Sequence, residues 1–112
     1  MSDTIFSDSP LGKRLGKIRR TEARCLVFKG NKIPLAYRIT IGRDRANDLI
    51  IDDNMVSRFH AVIQKIKSAY FIKDLRSRNG TSVNGVRVPK DRYIRLTSRD
   101  VIRIGRTDVT IS

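Results

Sequence analysis

From Arg24 onward the chain is a succession of short apolar runs, each broken by turn-forming residues, and that spacing restricts the fold more than any other feature. The runs "RCLVF", "AYRITIG", "FHAVIQKI", "AYFIKDL", "YIRL", "VIRIG" and "DVTIS" are rich in Val, Ile, Tyr and Phe, the residues that suit a pleated, half-buried surface. In "AYRITIG", Tyr37, Ile39 and Ile41 alternate with Arg38 and Thr40, the period of a strand with one buried face. "FHAVIQKI" and "AYFIKDL" read as a hairpin around Lys67-Ser68, and "GNK" as the turn that follows the first run. Alternation in the former puts Phe59, Ala61 and Ile63 on the face opposite His60, Val62 and Gln64. No segment sustains a long helical period. The expected fold is an all-β sandwich of two sheets, whose loops gather at its two ends, where a binding site is built.

The stretch "DLRSRNGTSVNG", Asp74 to Gly85, carries Asn-Gly twice, at Asn79-Gly80 and Asn84-Gly85. Asn-Gly between apolar runs is a strong hairpin signal, because both residues tolerate the positive φ of a type I′ turn. Two such turns leave only Thr81, Ser82 and Val83 for a strand between them, at the bottom of the usual length range. Their roles therefore differ. Asp74 and Leu75 end a strand, Ser77 to Gly80 form a polar bend, and Asn84-Gly85 is the turn into "VRV". Asn79 is then left in a loop with its amide free to grip a peptide main chain, since it offers both donor and acceptor.

At 112 residues the chain fits one domain with its own core. Residues 1–23, with a Ser/Asp/Pro opening and the basic run "GKRLGKIRR", read as a flexible basic arm, and residues 24–112 as the folded domain. Gly12 and Gly16 argue against a short helix around Leu11–Ile18. The single cysteine, Cys25, cannot form an internal disulfide, which suits a reducing compartment, and its apolar neighbours mark it as a small buried residue. No run reaches the length of a membrane span and the N-terminus lacks the apolar core of a secretion signal, so the expected location is cytoplasmic. The formal charge is +13, from 24 Lys+Arg against 11 Asp+Glu. Such an excess attracts anions: nucleic acid, acidic membrane or phosphorylated protein. Residues 1–24 hold only six of the basic side chains, against three acidic ones, so the excess belongs to the domain as well.

Three polar stretches flank strands: "IGRDRANDLII", "DNMVSRFHAVI" and "DLRSRNGTSVNG". The guanidinium of Arg43, at a strand end after Gly42, presents a planar fork of donors that matches phosphate or carboxylate, although a lone arginine in so basic a chain is ordinarily a solvated charge. Ser57 and Arg58 place a neutral and a cationic donor side by side. His60 is the only histidine, and without a second histidine or cysteine it has no metal-ligand partner, so its expected role is to bond loop backbone. Paired catalytic carboxylates, a glycine-rich phosphate loop opening a helix and Gly-x-Ser-x-Gly are all missing, so neither enzymatic activity nor a cofactor or metal is expected.

Taken in order, Gly42-Arg43, Ser57-Arg58-Phe59-His60, "DLRSRNGTSVNG" and the late "IRIG" at Ile102 to Gly105 resemble the forkhead-associated (FHA) domain, over Arg24 to Ser112. The resemblance implies a β-sandwich of about eleven strands that binds phosphothreonine peptides through loops at one end, in a family known to read phospho-motifs with arginine. It implies that Arg43 and Ser57 contact the phosphate and that Arg58 adds a charged donor. Asn79 would hold the peptide backbone with Arg78 nearby, while Gly42, His60, Gly80 and Asn84 support the loops. The family often has threonine just before the site asparagine, where this chain has Arg78. That residue would then strengthen phosphate binding or favour acidic residues in the partner.

The expected function is thus a phosphothreonine-reading interaction module serving Ser/Thr-kinase signalling or assembly. The alternative is a nucleic-acid-binding basic domain, motivated by the charge and the basic arm; aromatics are sparse at 6%, and no stacking motif or recognition helix stands out. A further expectation is self-association through Thr4, should that residue of the arm be phosphorylated.

Overall fold

A computed structural model describes residues 24–112; the arm, with Thr4 and the Leu11–Ile18 segment, lies outside the described residues. The described residues form eleven strands and no helix: β1 Cys25–Phe28, β2 Asn31–Pro34, β3 Arg38–Gly42, β4 Leu49–Ile50, β5 Ala61–Ile66, β6 Ala69–Asp74, β7 Thr81–Val83, β8 Val86–Arg87, β9 Tyr93–Leu96, β10 Val101–Ile104 and β11 Thr107–Ile111. They make a six-stranded sheet in the order β2-β1-β11-β10-β7-β8 and a five-stranded sheet in the order β4-β3-β5-β6-β9. Pairing is antiparallel except between β3 and β4, where Ile41 lies beside Leu49 and Gly42 beside Ile50.

Alternation buries one face of most strands, as the period-2 pattern requires, while β8 is exposed at both residues and β5 buries Ala61, Val62 and Ile63 in succession. The five-stranded sheet contributes Ile39, Ile41, Ala61, Ile63, Ile72 and Leu96, and the six-stranded sheet Leu26, Ile102, Ile104, Val109 and Ile111, all buried in one continuous core. Asn84-Gly85 is a two-residue turn between Val83 and Val86, with φ of 51° and 82°, so this pair is indeed the hairpin turn and Thr81–Val83 the three-residue strand before it.

Local differences from the sequence reading have identifiable causes. The first turn is Lys29-Gly30, with Asn31 already paired to Phe28, so "GNK" ends the turn instead of forming it. Tyr37 is exposed because β3 begins one residue later, at Arg38. Cys25 is only half-buried, since Leu26 takes the core side of β1 and sends its neighbour to the other face. Phe59 is exposed and does not share a face with Ala61 and Ile63, because β5 begins at Ala61 and the chain before it is loop.

Candidate functional site

Three loops meet at one end of the sandwich: residues 43–48, 51–60 and 75–80. They line an open cleft of about 450 Å³ bounded by Arg43, Asn54, Met55, Val56, Ser57, Arg58, Phe59, Arg78 and Asn79. All five residues picked out as ligand contacts, Arg43, Ser57, Arg58, Arg78 and Asn79, therefore share one cavity. Its lining holds three arginines and no carboxylate.

Backbone hydrogen bonds lock the loop containing Ser57 against the end of β3. Arg43 N–H donates to Ser57 O at 3.0 Å and Asp44 N–H to Arg58 O at 3.1 Å. The buried Asn47 amide donates from Nδ2 to Asp44 O at 2.8 Å and to Arg58 O at 2.7 Å. Gly42 makes this approach feasible: a Cβ there would stand 2.2 Å from Arg58 O and 2.7 Å from Asn47 Nδ2. On the other side Asp53 fastens the loop to the β10–β11 turn, accepting from Arg106 Nη2 at 2.9 Å, Arg106 N–H at 3.1 Å and Met55 N–H at 2.9 Å. The Arg106 guanidinium, aided by those backbone donors, holds the Asp53 carboxyl down at about 2. Gly105 lets that turn close in, since a Cβ would meet Val56 Cγ2 at 2.8 Å, and this accounts for the glycine of "IRIG".

Beneath the 75–80 loop lies a buried polar cluster. Asp74 accepts from Ser77 Oγ at 2.6 Å, Ser77 N–H at 3.0 Å and Thr81 Oγ1 at 2.7 Å, while Gly80 N–H donates to Ser77 Oγ at 2.9 Å. Burial pushes the Asp74 carboxyl up, but the hydroxyl and amide donors outweigh it and leave it below the ordinary carboxylate range. Completely buried, His60 bridges the two loops: Nδ1 accepts from Ser57 N–H at 3.0 Å and Nε2 lies 2.9 Å from Gly80 O. The first bond needs a bare Nδ1, so Nε2 carries the proton and donates to Gly80. Burial lowers the imidazole pKa, only partly opposed by Gly80 O and by Asp74 at 3.9 Å, so the ring is neutral at pH 7. Asn84 stands apart from the cleft lining; its side chain donates to Asp100 Oδ1 at 2.9 Å and accepts from Val101 N–H at 2.9 Å, fastening the hairpin turn to β10.

The donors left facing the cleft can be counted. Arg43 uses Nε on Val56 O at 3.0 Å, which fixes its side chain and turns its terminal nitrogens to other partners. Ser57 Oγ accepts from Arg78 N–H at 3.0 Å, so its own proton remains to donate. The Asn79 amide is not wholly free, because Nδ2 donates to Met55 O at 2.9 Å; one N–H and the carbonyl oxygen remain. Sequence reasoning missed Asn47, Asp53, Arg106 and the apolar lining residues Met55 and Phe59.

A β-sandwich with a hydrogen-bond-braced cleft at one loop end, its charged lining residues all arginines, is the class of protein these observations define: a binding module for an anionic ligand. The FHA domain family model matches residues 39–105, and the chain belongs to that family. It is 38% identical to an ABC transporter ATP-binding/permease protein, Rv1747 of Mycobacterium tuberculosis, covering 92% of this chain and 12% of that one. EmbR of Mycobacterium tuberculosis, solved in complex with a low-affinity phosphopeptide, superposes with a TM-score of 0.75 at 36% identity, over 80% of this chain and 24% of that one. An FHA domain structure solved to analyse phosphothreonine-dependent interactions superposes at 0.73 and 29% identity, over 80% of this chain and 95% of that one. The chain thus spans only a small part of the length of Rv1747 and EmbR.

Proposed function

We propose that the cleft binds phosphothreonine-containing peptides and that residues 24–112 act as an interaction module, not an enzyme, for a Ser/Thr-phosphorylated partner in the cytoplasm. The observation that carries this reading is the lining itself: arginines from three separate loops converge on a serine hydroxyl and an asparagine amide, with no acidic side chain among them. A phosphomonoester brings a charge of about −1.5 to −2 and three acceptor oxygens at neutral pH. Arg43 and Ser57 contact the phosphate, Arg58 adds a charged donor, and Asn79 holds the peptide main chain with its remaining N–H and carbonyl. Arg78 leaves its guanidinium for an acidic side chain of the partner, its backbone N–H being committed to Ser57. Membership of the FHA family, a relative solved with a phosphopeptide and another solved to analyse phosphothreonine-dependent interactions support the same reading. For nucleic acid the described residues offer no recognition helix.

Titration of the chain with a phosphothreonine peptide and its dephosphorylated twin tests the proposal. Binding should be lost on dephosphorylation. Charge-assisted hydrogen bonds contribute about 1.5–3 kcal/mol, so Arg43→Ala and Ser57→Ala should each weaken binding by about tenfold or more. Arg78→Ala should cost less, about fivefold at most, because exposed ion pairs contribute up to about 1 kcal/mol, and only for peptides with Asp or Glu beside the phosphothreonine. Full affinity in both the Arg43 and the Ser57 variant would remove the site assignment.

A further inference from the structure

An antiparallel sheet with one wet face ordinarily sends polar side chains outward. The outer face of the five-stranded sheet departs from that rule. Its outward positions form two rows across the strands, Thr40, Val62, Lys73 and Tyr93 in one and Arg38, Gln64, Phe71 and Arg95 in the next, with Ile66 beyond them beside Ala69. Val62 is buried and Phe71 half-buried, yet neither belongs to the core between the sheets. They make a second apolar patch on the outside, where Tyr93 stays 41% and Ile66 37% exposed. Tyr93 Oη donates to Gln64 Oε1 at 3.4 Å and Lys73 Nζ lies 5.0 Å from the Tyr93 ring centroid, so the ring reaches from β9 across β6 towards β5. Around the patch stand Arg38, Lys73 and Arg95, none with a carboxylate partner among the described residues. Asp48, the acidic group beside β3, is taken up by Thr40, whose N–H donates to it at 2.9 Å and whose Oγ1 donates at 3.2 Å.

We propose that this face lies on an anionic bilayer surface, with Ile66 and Tyr93 entering the headgroup boundary and Arg38, Lys73 and Arg95 meeting lipid phosphates. A bilayer accepts apolar tips scattered among cations without demanding a matching shape, because long cationic stems lie along the apolar surface and keep their charged ends at headgroup level. Tyrosine, apolar in body and polar at its tip, suits that depth. Charge argues against a second copy of the chain, since a two-fold contact through this face would set Arg38, Lys73 and Arg95 against one another. Single-stranded nucleic acid needs open ring faces to stack on, whereas Tyr93 has Lys73 over its ring and Ile66 offers none. Strands carry this face and loops at the end of the sandwich carry the cleft, so a bilayer against the sheet leaves the cleft open. The proposal therefore stands apart from the nature of the cleft's ligand.

The test sediments the full chain with vesicles of phosphatidylcholine alone and of phosphatidylcholine mixed with phosphatidylglycerol. Binding should be confined to the mixed vesicles. A cation at an anionic surface strengthens partitioning about fivefold, so Arg38→Glu together with Arg95→Glu should weaken binding by more than about tenfold. Lys32→Glu with Arg103→Glu makes the same change in net charge at exposed positions of the other sheet, and should weaken binding by less than about threefold because those charges stand away from the lipid. Ile66→Thr with Tyr93→Thr, which keeps strand-forming residues and alters no charge, should weaken it by about tenfold. Thermal melts identify any variant that is not folded, and the remaining pairs decide. No binding to mixed vesicles overturns the proposal, as does full binding after the Ile66 and Tyr93 replacements. Equal losses from charge reversal on either sheet also overturn it, by reducing the attraction to net charge. Binding to poly-glutamate that depends on this face, without binding to vesicles, overturns it in favour of an acidic polypeptide.

Discussion

Ser57 joins the cleft's loops with three different groups: its N–H to His60, its carbonyl to Arg43 and its hydroxyl to Arg78. Alanine removes only the last of these, and the Arg78 N–H it frees lies on an exposed residue where water can take over, so the fold tolerates the change. Gly42 behaves in the opposite way. Its backbone is ordinary, yet a Cβ would collide with a backbone carbonyl and a buried amide, neither of which can yield. Gly42→Ala should therefore cost about 1–3 kcal/mol, the usual range for overpacking, and also weaken phosphopeptide binding, because the displaced group is Arg58. Gly85 supplies the contrast. Nothing lies within 4 Å of a Cβ there, and only its φ of 82° resists a side chain. Gly85→Ala should lower stability by about 1–2 kcal/mol and leave binding intact. Thermal melts paired with peptide titration separate the two: only the Gly42 variant should lose both properties.

At the level of elements, the β6–β7 connection is organised from below by one carboxylate. Asp74 ends β6, accepts from Ser77 and Thr81, and so sets the bend on which Arg78 and Asn79 are carried. Asp74→Ala would leave two buried hydroxyls and a buried amide without an acceptor. At about 1–3 kcal/mol for each unpaired buried group, some of it recovered by rearrangement, the expected loss is about 3 kcal/mol, a fall in Tm of more than about 10 °C for a domain of this size. The strands themselves were legible from alternation, and the division of labour between the two Asn-Gly pairs followed from chain length, since three residues cannot carry two turns. Arg43, Ser57, Arg58, Arg78 and Asn79 could be picked out as a set only through the resemblance of the ordered motifs to the FHA domain, since each alone is an ordinary polar loop residue. The Asp53–Arg106 tether could not, because it spans 53 residues and depends on the β4–β5 loop meeting the β10–β11 hairpin turn. Nor could the exposure of Phe59, because alternation carries no information about where β5 starts; the turn of the chain around His60 decides that.

For the whole molecule, the arrangement of charge gives acid sensitivity in two stages. His60 is neutral and buried in the folded state, with its pKa lowered by burial, whereas in the unfolded chain it titrates near the ordinary value of 6.5. Below that value the unfolded chain takes up a proton that the folded chain resists, so the stability His60 contributes is complete above about pH 6.5 and is lost as pH falls towards the folded value. Protonation of Nδ1 also removes the acceptor of the Ser57 N–H, so the two loops that frame the cleft lose their bridge together. Asp74 acts later. Its folded pKa lies below 3.8, so its contribution persists above that value and is lost only as pH falls through the folded one. Self-repulsion among the basic side chains adds a destabilising background as carboxylates are neutralised. Binding is a poor probe here, since a phosphomonoester itself titrates with a pKa near 6. The expected result is a Tm that is level above pH 7 and falls from about pH 6.5 downward, with a second, steeper fall below about pH 4. His60→Gln, which keeps an N–H for Gly80 but does not titrate, should start from a lower Tm and lack the first stage while retaining the second. An unchanged first stage in that variant would move the sensitivity from His60 to the general charge balance.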